Sequence, residues 1–147
     1  MQERSREGAL MEFQGDITDA VMRQITDALL DQIADEFFTK TQELIVEKGI
    51  TDQGTLLKSG MIIRFPMEKH VIYTASYAGA IEWGSRPHRP PVEPLIDWSE
   101  RKLGVHGKDA RRAGWAIALK IAREGTEPRP FIRPALQFLK RNFKPKF

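Results

Sequence analysis

Any chemistry in this chain would have to come from three histidines and a scatter of serines and carboxylates, because cysteine is absent. His70, His88 and His106 lie far apart and lack the i, i+4 spacing by which one helix presents two imidazoles to zinc. Without cysteine there is no thiolate to complete a metal set or to act as a nucleophile. His88, set between Pro87 and Arg89, reads as a loop residue. Gly54, Gly60, Gly79 and Gly84 are spread through turns rather than gathered into a phosphate cradle. Ser59, Ser76 and Ser85 fall in no nucleophile-elbow pattern. The expectation is a protein that is not an enzyme, with no catalytic residue, no cofactor and no metal.

Charge says more than reactivity. The net +3 hides a split: residues 1–75 carry 8 basic and 13 acidic side chains, and residues 76–147 carry 15 basic and 7 acidic. A chain of this kind can join acidic and basic faces of successive copies, or it can present the basic half to nucleic acid. Arg86, Arg89, Arg111, Arg112 and Lys120 are the candidate contacts to DNA or to a neighbouring subunit. Two consecutive helical segments, 93–102 and 109–124, can be drawn as a helix-turn-helix with Arg111, Arg112, Lys120 and Arg123 toward phosphates. Two features oppose it. The linker over 104–108 holds two glycines, and burial of Trp115, Ile117, Leu119 and Ile121 would leave little of the second helix to read bases. The cluster Lys140, Arg141, Lys144 and Lys146 can touch a phosphate backbone without sequence preference.

The elements that must position these groups follow from periodicity. A length of 147 residues with 41% hydrophobic and 29% charged side chains suits one globular domain. The apolar runs are too short to span a bilayer, and the first dozen residues lack the apolar stretch of a secretory leader, so cytoplasmic folding is expected. Residues 1–15 read as a flexible arm. Asp16 offers an N-cap to a helix whose apolar residues Ile17, Val21, Ile25, Leu29, Ile33 and Phe37 step by four and wind about 40° per step. Gly49 is its stop. Such a helix, about 45 Å long, exceeds a small core and must bend, lie across its own sheet, or meet another subunit. A short helical piece around Leu56 and Leu57 precedes a hairpin, 61–65 and 70–75, joined by Pro66, Met67, Glu68 and Lys69. After a proline-rich loop come the two helices, and then Pro134 opens a last helix with Leu136, Leu139 and Phe143 on one face. The expected fold is α+β: a long N-terminal helix packed on a small antiparallel sheet, with additional C-terminal helices. Its single domain spans 16–143, with a helical insertion at about 86–124 and a basic tail at 144–147.

Three stretches resemble a family of tailed-phage minor tail and neck components that includes the tail completion proteins of lambda-like siphophages. They are Asp52-Gln53-Gly54-Thr55-Leu56-Leu57-Lys58-Ser59, then Tyr77-Ala78-Gly79-Ala80-Ile81-Glu82-Trp83-Gly84-Ser85, then Gly125-Thr126-Glu127-Pro128-Arg129-Pro130-Phe131-Ile132-Arg133-Pro134-Ala135. Their order and spacing cover most of residues 16–143. The resemblance singles out Asp52, Gly54, Leu56, Ser59, Tyr77, Glu82, Trp83, Gly84, Pro128, Pro130, Phe131, Arg133 and Pro134 as motif residues. It implies a structural virion protein at the head-tail junction, in the neck or completing the tail, acting as a ring around the DNA channel. The ring would be sixfold, with neighbouring neck or tail proteins as partners, incidental contact with genomic DNA and no membrane. The chain would reside in the virion and in the host cytoplasm during assembly. A phage-encoded accessory DNA-binding protein is the alternative. Within the motifs, Glu82 is expected to pair with Arg133, because a carboxylate and a guanidinium can form two parallel hydrogen bonds.

Overall fold

The computed structural model describes residues 2–50 and 53–146, with side chains described from residue 18 onward. The fold is α+β: helix α1 (Gln2–Glu47), a short α2 (Thr55–Lys58), strands β1 (Gly60–Phe65) and β2 (Glu68–Tyr73), then helices α3 (Ala78–Trp83), α4 (Glu93–Leu103), α5 (Lys108–Glu124) and α6 (Ile132–Asn142). The stretch expected to be an arm carries helical backbone continuous with α1, so Asp16 lies inside the helix instead of starting it. At 46 residues, α1 is about 70 Å long. It stops where expected. Gly49 takes φ 66°, its N–H reaches the Val46 carbonyl at 3.1 Å, and the Ile50 N–H reaches Ile45 at 3.0 Å. Those paired bonds satisfy carbonyls that the last turn would otherwise leave open.

Among the α1 residues whose side chains are described, the embedded ones lie in its second half. Ala34, Thr41, Leu44 and Ile45 are buried, whereas residues 18–25 are exposed throughout, Val21 and Ile25 included. The four-residue step explains the change, since its drift carries the earlier apolar residues off the face that meets the sheet. Phe38 stacks on Tyr73 of β2 with ring centroids 6.2 Å apart, and Tyr73 meets Phe131 edge-on at 5.1 Å. The Tyr73 hydroxyl lies 2.6 Å from Thr41 Oγ1 and accepts from Gln42 Nε2 at 2.7 Å, so its buried polar end is satisfied. Burial pushes the phenol up from its ordinary value, and these two bonds pull against that. Leu44, Ile45, Leu56, Phe131 and Ala135 form the core, which thus joins α1, α2 and the start of α6. Ile132 and Ala135, rather than Leu136, turn inward with Leu139; Leu136 is exposed.

The hairpin is antiparallel and pairs Gly60 with Tyr73 through to Phe65 with Glu68. Its connection is therefore the two residues Pro66 and Met67, not the expected four, and Glu68 and Lys69 belong to β2. Proline fixes φ at the first turn position and Met67 takes φ 62° at the second, the pairing that a type II turn demands. The Met67 N–H donates to Asp27 Oδ1 at 2.7 Å, which ties the turn to α1.

The register places Arg64 opposite Lys69, a like-charged cross-strand pair that is unfavourable alone. Asp27, Asp31 and Asp35, one turn apart on α1, resolve it. Lys69 Nζ lies 2.9 Å from Asp27 and 3.5 Å from Asp31; Arg64 lies 2.7 Å from Asp31 and also pairs with Asp35. The Met67 N–H and the Lys69 ammonium hold the Asp27 carboxyl below its ordinary value. The Asp27 partner raises Lys69, and Asp35 and Asp31 raise Arg64. At the other end of the chain, Lys146 is tied back to Gln32 by two reciprocal bonds of 2.7 and 2.8 Å, so the basic tail is docked on α1.

Candidate assembly site

Two motif segments distant in sequence meet at one carboxylate. Glu82 sits on α3, is 4% exposed, and points at the first turn of α6. The N–H groups of Phe131 and Ile132 donate to Oε2 at 2.7 and 2.9 Å, and the Arg133 N–H donates to Oε1 at 2.9 Å. These are donors that a helix cannot satisfy internally, and a carboxylate is the complement to their partial positive charge. The Pro134 nitrogen, which has no hydrogen to donate, falls harmlessly in the same turn.

The expected pair with Arg133 is present in a different form. Arg133 Nε meets Oε1 at 3.0 Å, while Nη2 donates at 2.6 Å to the backbone carbonyl of Glu82, so the guanidinium grips side chain and main chain together. Oε1 thus accepts from both the backbone N–H and the side chain of Arg133. The Arg133 guanidinium also lies over the Trp83 ring at 4.1 Å from its centroid. Burial is the largest single influence on the Glu82 carboxyl and opposes its charge. The Ile132, Arg133 and Phe131 N–H groups and the Arg133 guanidinium outweigh it, leaving the carboxyl below its ordinary value. The Arg129 N–H donates to Ile81 at 2.7 Å, its guanidinium donates to the Lys48 carbonyl at 2.6 Å, and Lys48 Nζ donates to the Pro130 carbonyl at 2.5 Å. The latch thereby reaches the end of α1.

Other motif residues have packing roles. Leu56 and Phe131 are each 1% exposed in the same core. Gly54 takes φ 73° ahead of α2, and Ser59 Oγ donates to the Leu56 carbonyl at 2.8 Å. Tyr77 and Pro128 are exposed, Pro130 is half-buried, and Asp52 lies outside the described residues.

The segment expected as an insertion is a helical arm on a narrow neck. Ser85 and Thr126 exchange backbone hydrogen bonds of 3.0 and 3.1 Å, and their hydroxyls lie 2.7 Å apart. Gly84 and Gly125 flank this bridge with φ 75° and 74°; a β-carbon on Gly125 would stand 2.1 Å from the Ser85 carbonyl oxygen, and one on Gly84 would stand 2.6 Å from that of Thr126. Beyond the neck, α4 and α5 pack chiefly on each other. Gly114 makes this close, since a β-carbon there would fall 2.5 Å from Ile96 Cγ1.

The expected burial along α5 is met in part, since Ile117 and Ile121 are half-buried. The α5 residues that are buried are Ala110, Gly114 and Ala118, while Trp115 and Leu119 are 55% and 53% exposed. The closest contact with α4 is made at Gly114, and Ile117 and Ile121 lie on the same side of the helix. Arg111 and Arg112 flank Trp115 on the outward face, whereas Lys120 lies about 140° around the helix from it. Arg86 and Arg89 are exposed in the preceding loop, and among the described residues no ion pair engages any of these five basic side chains. The three acids of α1 and their partners Arg64 and Lys69 went unnoticed in the sequence, although the i, i+4, i+8 spacing of the acids was visible.

Among the described residues no group of His, Asp or Glu is placed to hold a metal ion, and no helix is long and apolar enough to cross a membrane. Compared with protein-family models, with curated proteins and with solved structures, the chain matches none.

Proposed function

We propose that the chain is a structural virion protein of a tailed phage. It acts at the head-tail junction, as a neck or tail completion subunit, by assembling into a ring around the DNA channel. Its work is done by surfaces that fit identical copies and virion neighbours together, and no reaction is assigned to it. The observation that carries this reading is the Glu82 latch. The second and third family-like segments, 49 residues apart at Glu82 and Phe131, meet at one carboxylate, as expected if they form one structural unit. The neck placed directly after the latch supports it further, because the insertion can be added there without disturbing the body.

The test is a phage lacking this chain. Filled heads and finished tails that stay unjoined, and that join when the purified protein is added, are the expected result; normal infectious particles would remove the proposal. The exposed basic side chains around Trp115 favour one second reading, an accessory DNA-binding protein. That reading requires duplex binding that weakens steeply with salt and with neutralisation of Arg111 and Arg112.

A further inference from the structure

The outward face of α5 is an apolar centre in a basic frame. Trp115 and Leu119, one turn apart and each more than half exposed, are bordered by Lys108, Arg111 and Arg112. The two-helix arm buries Ala110, Gly114 and Ala118 and has no further layer of its own to cover Trp115 and Leu119. An exposed tryptophan among arginines is the composition of an interface centre rather than of a solvated helix face.

The body carries the opposite surface. An open groove of about 540 Å³ runs along the second half of α1, lined by Thr39, Gln42, Glu43, Val46, Glu47 and Leu57. Its floor is apolar, with Val46 exposed and Leu57 half-buried, and its rim is acidic. Glu43 is only partly offset by Lys40 at 3.4 Å, and Glu36 lies on the same side of the helix two turns before Glu43.

We propose that the arm of one copy docks in the α1 groove of the next, with Trp115 and Leu119 on Val46 and Leu57 and with Arg111 and Arg112 facing Glu43 and Glu47. The occupant is a second copy because the two surfaces match in both respects, apolar centre to apolar floor and basic frame to acidic rim. Nucleic acid would match only the charge. The contact is heterologous, so each copy offers one arm and one groove, and repetition closes a ring or continues a chain. This inference rests on the assembly reading and specifies the surfaces through which it would act.

The absence of cysteine makes the test clean. Thr39→Cys, at the groove, and Ala116→Cys, beside the arm's apolar centre, are made in separate proteins and mixed under mild oxidation. The mixed disulfide should dominate both homodisulfides. Adding Arg111→Glu and Arg112→Glu to the arm protein should lower its yield about tenfold or more, through like-charge juxtaposition, and Glu43→Arg with Glu47→Arg in the groove protein should restore it. A yield no greater than that of the homodisulfides, or one indifferent to both reversals, overturns the contact. So does a basic face that binds duplex DNA or phosphatidylserine vesicles while no mixed disulfide forms. A ring seen in virions without the cross-link sinks this contact and leaves the proposed role standing; the cross-link without any virion ring does the reverse.

Discussion

Replacing Glu82 with alanine removes the acceptor from three backbone donors at once. The Phe131 N–H belongs to a residue only 1% exposed, and leaving it without a partner costs about 1–3 kcal/mol. The N–H groups of Ile132 and Arg133 are less deeply placed, so partial rehydration limits each loss to about 0.5–1 kcal/mol. Arg133 is 43% exposed, and its ion pair adds no more than about 1 kcal/mol after solvent screening. The expected destabilisation is about 3 kcal/mol, a fall in Tm of roughly 6–12 °C for a chain of this size. Thermal and urea unfolding followed by circular dichroism measures it. Hydrogen exchange should show the first turn of α6 losing protection before the hairpin does. Glu82→Gln retains one oxygen but turns an amide donor toward backbone donors, so it should fall between wild type and alanine. A Glu82→Ala protein within about 0.5 kcal/mol of wild type would refute the assignment of the latch as a main fastening.

The pH dependence has a definite sign. Glu82 and Asp27 are both held below their ordinary values, so the stability they contribute is complete above the unfolded carboxylate pKa and is lost as pH falls through the lower folded values. Acid titration of Tm should therefore decline from about pH 5 downward, with a shallower slope in Glu82→Gln. Gly114→Val drives a side chain into Ile96 and should cost about 1–3 kcal/mol within the arm, seen as faster exchange in α4 and α5 with the hairpin unchanged. Met67→Gly relieves the positive φ at the hairpin turn and should raise Tm slightly, by the equivalent of about 0.5–1 kcal/mol, on differential scanning calorimetry.

What the sequence revealed depended on how local each signal was. Gly49 marked the end of α1, Gly104 and Gly125 bounded the arm helices, and Pro134 fell in the first turn of α6, all because a turn or cap acts through its own backbone. The start of α1 was missed because residues 2–15 lack apolar periodicity and include Gly8 and Gly15, which argue against helix when propensity is weighed alone. The hairpin was seen but its turn was placed two residues too wide, since Met67 gives no hint of a positive φ that its bond to Asp27 supports. Of the expected inward face of α5, Ile117 and Ile121 are half-buried but Trp115 and Leu119 lie outward, because hydrophobic pattern ranks large side chains as core whereas a close helix approach selects glycine and alanine. Glu82 and Arg133 were paired correctly, but a sequence shows no backbone donors, and those are what the carboxylate chiefly serves.

The proposed role is tested most directly by electron microscopy of intact virions, with the head-tail junction reconstructed and the chain traced into density. Copies arranged as a closed ring between head and tail tube, long helices and arms in alternating contact around the channel, are the predicted result. Particles and assembly intermediates from which the chain is wholly missing would contradict it.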